Sequence, residues 1–480
     1  MKHIFILIPL FLTACASAPR VRPPALEVEV PQTWTSGALS DTPQDTLWWT
    51  QFGDARLNSL IAEAFDHNHN LQATAARLHA AQAQAKIAGA PLYPQLSAGA
   101  NGSKRKQNFI GFPLPGNPDG VPSTTSKSYG ISLNASWEID LWGKLRAGQA
   151  AALAAFQASQ ANLQGARLSL AAQTAKAWFA AIEARRQAEL ARATVENYQT
   201  SFEQVRNRYN RGIRPSLDLR LTQADYASAL DRLHQREQLY DRAVRQLEIL
   251  LGKYPRASLS VTEDLPVTPD EVPAGLPADL ISRRPDLVAA ERQLAASHAQ
   301  LVSARRALYP RISLTASGGT ISNQLGDLLN GDFKVWSIVG NMLQPLFQGG
   351  RIRGNINLAK SRADETLALY AQSVLRAYAE VELALAAENF LGQRQAALET
   401  ATEQSLAARS LAEDRYNRGL SDLITMLSAQ RIAYQAESQL LTVRRLRLEA
   451  RINLHLALGG GFTRETLWSS NATPTGAPVQ

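Results

Sequence analysis

The chain holds 480 residues, 45% of them apolar and 19% charged, with 50 Lys and Arg set against 42 Asp and Glu for a net charge of +8. That length allows a sizeable core or several modules, and the composition excludes an intrinsically disordered polypeptide, which needs low hydrophobicity and high charge. A single cysteine excludes an intrachain disulfide framework and a cysteine-based zinc site, no apolar run reaches 18 residues, and the basic residues are spread along the chain instead of gathered into a nucleic-acid patch.

At the N-terminus Lys2 and His3 precede an apolar stretch from Ile4 to Leu12. It has the length of a secretory h-region and is too short to span a bilayer. It ends in Leu12-Thr13-Ala14-Cys15, which resembles a bacterial lipobox, where the cysteine is acylated and becomes the first mature residue. Cys15 is therefore the predicted lipidation site, with an ordinary signal peptide and a chance cysteine as the alternative. Ala16 follows where an Asp would stand in a retained lipoprotein, which implies sorting to the outer membrane, and several acyl chains give firm anchoring.

The remainder reads as a duplication. Leu71, Leu78, Gln84, Leu92, Tyr93 and Pro94 return 216 positions later as Leu287, Leu294, Gln300, Leu308, Tyr309 and Pro310. Further on the offset becomes 207: Arg208-Tyr209-Asn210-Arg211-Gly212 recurs as Arg415-Tyr416-Asn417-Arg418-Gly419, and Leu247, Leu251 and Gly252 recur as Leu454, Leu458 and Gly459. The predicted organisation is a signal peptide at 1–14, an N-terminal lipid-anchored segment at 15–53, a first repeat at 54–252, a proline-rich linker at 253–276, a second repeat at 277–459 and a C-terminal tail at 460–480.

Each repeat is predicted as helix, strand, loop, strand, long helix, turn, helix. From Arg146 to Arg208 there is no proline and Ala and Gln dominate, so a helix of about 95 Å is expected. A second helix runs from beyond Pro215 to Leu251, with a stripe at Leu219, Tyr226, Leu230, Leu233, Tyr240, Val244, Leu247 and Leu251 in coiled-coil spacing. Arg444, Arg447 and Arg451 break that stripe in the second copy. Between the helices, Tyr129, Ile131, Leu133, Ala135, Trp137 and Ile139 alternate strictly with polar or small residues, and Leu96–Asn101, Ile312–Ala316 and Trp336–Met342 do so more weakly. The period suits membrane strands, apolar outward and polar inward; a soluble sheet with one wet face is the alternative. Four strands cannot close in lipid, where every backbone group must be paired. Eight strands from two chains would fill their own interior, and twelve from three chains leave a channel.

Four segments now carry a family resemblance: "LWWTQFGDARLNSLI" from Leu47, "RRPDLVAAERQLAASHAQLVSARRALYPRISLTASGG" from Arg283, "PLFQGGRIRGNI" from Pro345 and "LGGGF" from Leu458. With the lipobox they resemble the outer membrane factor family, the TolC-like channels, and within it the NodT-type efflux lipoproteins, over nearly the whole mature chain. The resemblance implies an α+β membrane protein with internal duplication: a trimeric twelve-stranded outer-membrane β-barrel, four strands per chain, continued by a long periplasmic α-helical barrel. It implies a homotrimer anchored in outer membrane lipid, which docks a periplasmic adaptor (membrane fusion) protein and an inner-membrane pump of the resistance-nodulation-division type. The implied function is passive export of drugs or other small molecules; a lipid-anchored periplasmic coiled-coil scaffold without a pore is the alternative.

The two "RYNRG" turns are expected at the periplasmic tips. Their glycines would supply the left-handed geometry that ends a helix, and their arginines complement the helix dipole. The resemblance adds adaptor contact for Arg208, Gly212, Ser216, Leu217, Arg415, Gly419 and Leu423. Just before the second tip, Leu411, Glu413, Asp414 and Arg418 are gate candidates, since three copies of the carboxylates facing a lumen would make an acidic ring; a solvated face with pairing along the helix is the alternative. No GxSxG, Walker A or HExxH pattern occurs, and His67 and His69 do not share a helix face, so no catalytic residue, metal or cofactor is expected. Gly318-Gly319 and Gly349-Gly350 are read as backbone devices, not phosphate loops.

Overall fold

The computed structural model describes residues 31, 33–35, 46–110, 121–269 and 277–462. The predicted signal peptide, Cys15 and most of the predicted tail lie outside the described residues. The chain divides into two compact units: one holds the described residues of His79–Gln157 and Glu291–Leu369, the other those up to Leu78, those of Ala158–Ala290 and those from Tyr370 onward.

The elements run α1 (Ala55–His67), α2 (His69–Gly89), β1 (Gln95–Asn108), β2 (Ser123–Ile139), α3 (Lys144–Asn210) and α4 (Ser216–Leu250). They continue as α5 (Leu280–Arg283), α6 (Pro285–Arg306), β3 (Arg311–Ser322), β4 (Lys334–Leu343), α7 (Arg351–Asn417) and α8 (Leu423–Ala457). The duplication is visible in lengths: α3 and α7 each have 67 residues and α4 and α8 each have 35. At 1.5 Å per residue, 67 residues make about 100 Å of helix. α3 overruns the predicted Arg146–Arg208 by two residues at each end; at its first end Asp140 caps it, the carboxylate accepting from Leu145 N at 3.0 Å and Arg146 N at 2.9 Å. The described residues of the linker form no helix or strand, and the second repeat begins with a short helical turn at Pro277–Asp279 that leads into α5.

In the first unit the strands form one antiparallel sheet in the order β1-β2-β3-β4. Tyr93-Pro94 and Tyr309-Pro310 stand where α2 and α6 give way to strands, a transition the proline enforces by lacking an N–H and disfavouring helix before it. Gly349 and Gly350 both take positive φ, +56° and +83°, in the turn before α7. A Cβ at Gly319 would overlap the Ile131 carbonyl across the ladder.

The second unit has the larger core, built around Trp48, Phe52, Leu57, Leu60, Trp178 and Phe179. Trp48–Phe52 forms a single 3-10 turn that Gly53 closes at φ +66°, and Asp54 then caps α1 by accepting from Leu57 N at 2.9 Å. The other oxygen of Asp54 accepts from the fully buried Trp178 indole at 2.7 Å. Thus one carboxylate serves both a helix end and a core aromatic, which explains the spacing in "LWWTQFGD".

Two contacts repeat in both halves. Asn68 Nδ2 donates to Leu250 O at 2.9 Å, and Arg284 Nη1 donates to Ala457 O at 3.1 Å, each side chain closing the last carbonyl of a 35-residue helix. Gly252 (φ +69°) and Gly459 (φ +91°) follow those helices, and a Cβ on either would overlap a backbone carbonyl, that of His67 and that of Arg283 respectively. Residues 68 and 284 are 216 apart while 250 and 457 are 207 apart, so both sequence offsets meet in one contact. Where the stripe of α4 fails in α8, arginine hydrogen bonds replace it: the buried Arg451 makes a two-pronged contact with Glu388 at 2.9 and 3.0 Å, Arg444 reaches Glu399, and Arg447 donates to the neutral Gln395.

Candidate functional site

The sheet sorts its side chains by parity, because successive residues of a strand point to opposite faces. In register, one face carries the rows Leu96–Ala135–Ala316–Ile338 and Ala98–Leu133–Gly318–Trp336. Leu96, Leu133, Trp336, Ile338 and Met342 on this face are all exposed. The other face carries the row Ser97–Asn134–Ser317–Ser337, in which the Ser317 and Ser337 hydroxyls bond at 2.8 Å. An exposed apolar face backed by a polar one is the arrangement of a strand between lipid and a wet lumen. Aromatics mark the helix-side border: Trp137 Nε1 donates to Leu92 O at 2.9 Å, Trp142 Nε1 to Pro310 O at 2.8 Å, and Trp142 stacks on Tyr309 at 5.2 Å. Rings with one polar edge suit a membrane–water interface. Neither β1 nor β4 has a second strand partner among the described residues.

In the second unit the two "RYNRG" turns have matching geometry. Gly212 (φ +73°) donates to Tyr209 O at 2.8 Å and Ile213 N to Arg208 O at 2.9 Å; Gly419 (φ +75°) donates to Tyr416 O at 3.0 Å and Leu420 N to Arg415 O at 2.8 Å. This paired bonding closes the orphan carbonyls of α3 and α7 and needs the left-handed residue that glycine supplies. The next helices differ: α8 is capped by Asp422, which accepts from Thr425 N at 2.8 Å and Thr425 Oγ1 at 2.9 Å and is held below the usual carboxylate range mainly by the Thr425 N–H. α4 has Pro215 at that place and no side-chain cap.

Beneath the turns Tyr416 is buried, with the Arg208 and Arg214 guanidinium groups 5.2 and 5.3 Å from its ring centre. Its first-copy counterpart, Tyr209, is exposed. Tyr198 and Tyr434 lie lower, their rings 6.0 Å apart; burial pushes the Tyr198 phenol up to about 12 and raises that of Tyr434.

The predicted tip residues Arg208, Gly212, Ser216, Leu217, Arg415 and Gly419 are brought to these two turns. Leu423 is turned inward, packing in a cluster with Tyr416, Met426 and Leu427. The exposed apolar residue at that tip is Ile424, which the offset of 207 from Leu217 already indicates; Ile213 and Leu420 are exposed beside them. The gate candidates separate. Glu413 is engaged within the chain, accepting from Asn197 Nδ2 at 3.2 Å and Gln430 Nε2 at 2.9 Å. Asp414 is exposed and pairs with Arg418 at 3.0 Å one helical turn on, and Leu411 is exposed. His67 and His69 bond to Glu63 O and Gln72 Oε1, and no cluster of three metal-ligating side chains occurs among the described residues.

A family model described as outer membrane efflux protein matches residues 60–253 and 276–460. The pyoverdine export outer membrane protein OpmQ of Pseudomonas aeruginosa is 32% identical over 460 residues, covering 94% of this chain and 95% of that one. The toluene efflux pump outer membrane protein TtgF of Pseudomonas putida is 31% identical over 419 residues, covering 86% of this chain and 85% of its own. Among solved structures, the open state of the Neisseria gonorrhoeae MtrE outer membrane channel superposes with a TM-score of 0.80 at 30% identity, over 94% of this chain and 99% of that one.

Proposed function

Because the chain belongs to the outer membrane efflux protein family, we propose that it is the outer-membrane conduit of a tripartite efflux system, a homotrimer passing small molecules from an inner-membrane pump and periplasmic adaptor to the exterior. The observation that carries the trimer is the open sheet: four strands, with exposed apolar rows on one face and the polar row Ser97–Asn134–Ser317–Ser337 on the other, and with β1 and β4 unpaired along their outer edges among the described residues. In hydrocarbon such edges must find partners, and three copies give the smallest closed barrel that leaves a lumen. The strands lie in the outer membrane and the helices serve in the periplasm.

Docking is assigned to the two turns, where Ile213 with Leu217 and Leu420 with Ile424 form matching exposed apolar pairs flanked by Arg211, Arg415 and Arg418. Cys15 carries the lipid anchor, and radiolabelled palmitate should mark the wild type and not Cys15→Ser. Relatives of similar identity are named for pyoverdine and for toluene, two chemically unlike cargoes. The test is reconstitution in planar bilayers of a chain that carries one introduced cysteine on β1 and a second on β4, placed to meet across the seam. Discrete conductance and a covalent trimer are expected. Absence of conductance, or cross-linking that stops at dimers, would overturn the reading.

A further inference from the structure

The strands extend beyond the apolar band, and they do so with a particular charge. From Tyr129 to Ile139 the outward-facing residues of β2 cover ten steps, about 33 Å along the strand and roughly 25 Å in height at a tilt near 40°, the height of an outer-membrane apolar band. Ile139 is the end that leads into α3, so Tyr129 marks the far, extracellular border. There its ring lies across Gly102 of β1, where a Cβ would come to 3.3 Å. The next row out on this face is Lys104 directly opposite Lys127, followed by Lys106 opposite Thr125. On β4 of the same sheet Lys334 follows Trp336 on the outward face.

Like charges set directly across an antiparallel pair repel. All three lysines of the β1–β2 hairpin are exposed, and none has a carboxylate within ion-pair distance among the described residues. The described parts of β1 and β2 hold no Asp or Glu before Glu138; in the neighbouring hairpin Asp327 is bonded by Ser322 Oγ at 2.8 Å. The face that carries this charge is the lipid face, and the height is that of the headgroups.

We infer that Lys104, Lys127 and Lys106 bind phosphate groups of the outer-leaflet glycolipid, a bis-phosphorylated glucosamine headgroup lying over the Tyr129 ring. The inference rests on the barrel reading above, which sets the apolar face toward lipid. The anion relieves the repulsion within the Lys104–Lys127 pair, and the acyl chains pack down the Leu133 and Ile131 face. Arg105 supplies an internal control, since it lies between two of these lysines in sequence and on the opposite, polar face.

The full chain is purified and placed in nanodiscs of phosphatidylethanolamine with graded bis-phosphorylated lipid A, and bound lipid A is counted by native mass spectrometry. Wild type and Arg105→Ala should capture lipid A alike, and the same bilayer with dephosphorylated lipid A should show no capture. Lys104→Gln with Lys106→Gln and Lys127→Gln should bind about a hundredfold more weakly, three surface cations each contributing about a fivefold gain, with its elution volume and bilayer conductance unchanged. Capture by the triple variant equal to wild type, an equal loss in Arg105→Ala, or competition by millimolar inorganic phosphate, marking a free-anion site, would overturn the inference. Conductance without lipid A capture by the wild type overturns it alone; failure of the wild type to insert overturns the channel reading with it.

Discussion

Replacing Asp54 by Ala tests the reading of the "LWWTQFGD" segment. The substitution removes two bonds at once: the cap on α1, through Leu57 N at 2.9 Å, and the acceptor of the Trp178 indole at 2.7 Å. Loss of an N-cap costs about 1 kcal/mol. Trp178 is fully buried, so its N–H, left without a partner, adds about 1–3 kcal/mol. The expected destabilisation is therefore about 2–4 kcal/mol, which for a unit of this size is a fall of roughly 5–10 °C in the helical melting midpoint. Asp54→Asn keeps one acceptor and should lose about half as much. Trp178→Phe removes the donor, so the double variant Asp54→Ala with Trp178→Phe should be less destabilised than the sum of the singles, by about 1–2 kcal/mol. Circular dichroism of detergent-purified protein reads all four. Additive singles, with no coupling, would refute the claim that this carboxylate is shared.

His455 stacks on Trp48 at 5.2 Å and burial, with Arg451 nearby, pushes its pKa down to about 4 from 6.5; the unfolded chain therefore binds the extra proton first, and stability should fall as pH drops from 6.5 toward 4, by about 1.4 kcal/mol per unit. His455→Phe keeps the stack and should flatten that slope in melts from pH 7 to 4.5; equal slopes would count against it. Gly459→Ala should destabilise by roughly 3 kcal/mol or more, because strain at φ +91° adds to overlap with the Arg283 carbonyl, whereas Gly212→Ala, with open space around it, should lose only about 1 kcal/mol; urea titrations that rank them the other way contradict the geometry. At the tips, Asp414→Ala should raise single-channel conductance and weaken cation selectivity, while Glu413→Gln, bonded inside the chain by Asn197 and Gln430, should lower stability and leave conductance unchanged. Matching conductance changes in both would remove the distinction drawn between them.

The long elements were legible because their signals are periodic and uninterrupted. Residues without proline specify α3 to within two positions, and the strict alternation from Tyr129 to Ile139 specifies the membrane part of β2. β1 was legible only as far as its apolar residues went: the run Ser103–Asn108 has no strand signature of its own and is extended because β2 hydrogen-bonds it. Orientation at the tips showed only through the repeat offset that pairs Leu217 with Ile424. Leu423 and Ile424 are neighbours in sequence but about 100° apart around α8, so one enters the Tyr416 cluster while the other faces solvent. Glu413 and Asp414 separate for the same reason. The twin roles of Asn68 and Arg284 escaped because the two residues share no chemistry beyond an N–H donor, and only the carbonyl each reaches makes them equivalents.

The unpaired margins of β1 and β4 also bear on inheritance. A barrel closed by three identical sheets is only as sound as its worst seam, so a subunit with one spoiled margin ruins the ring it enters. In a cell making sound and spoiled copies in equal amounts, only about one ring in eight would be wholly sound. Alleles altered at these two strands should therefore be dominant, and alleles altered in the buried core, whose products are lost before they meet a neighbour, recessive.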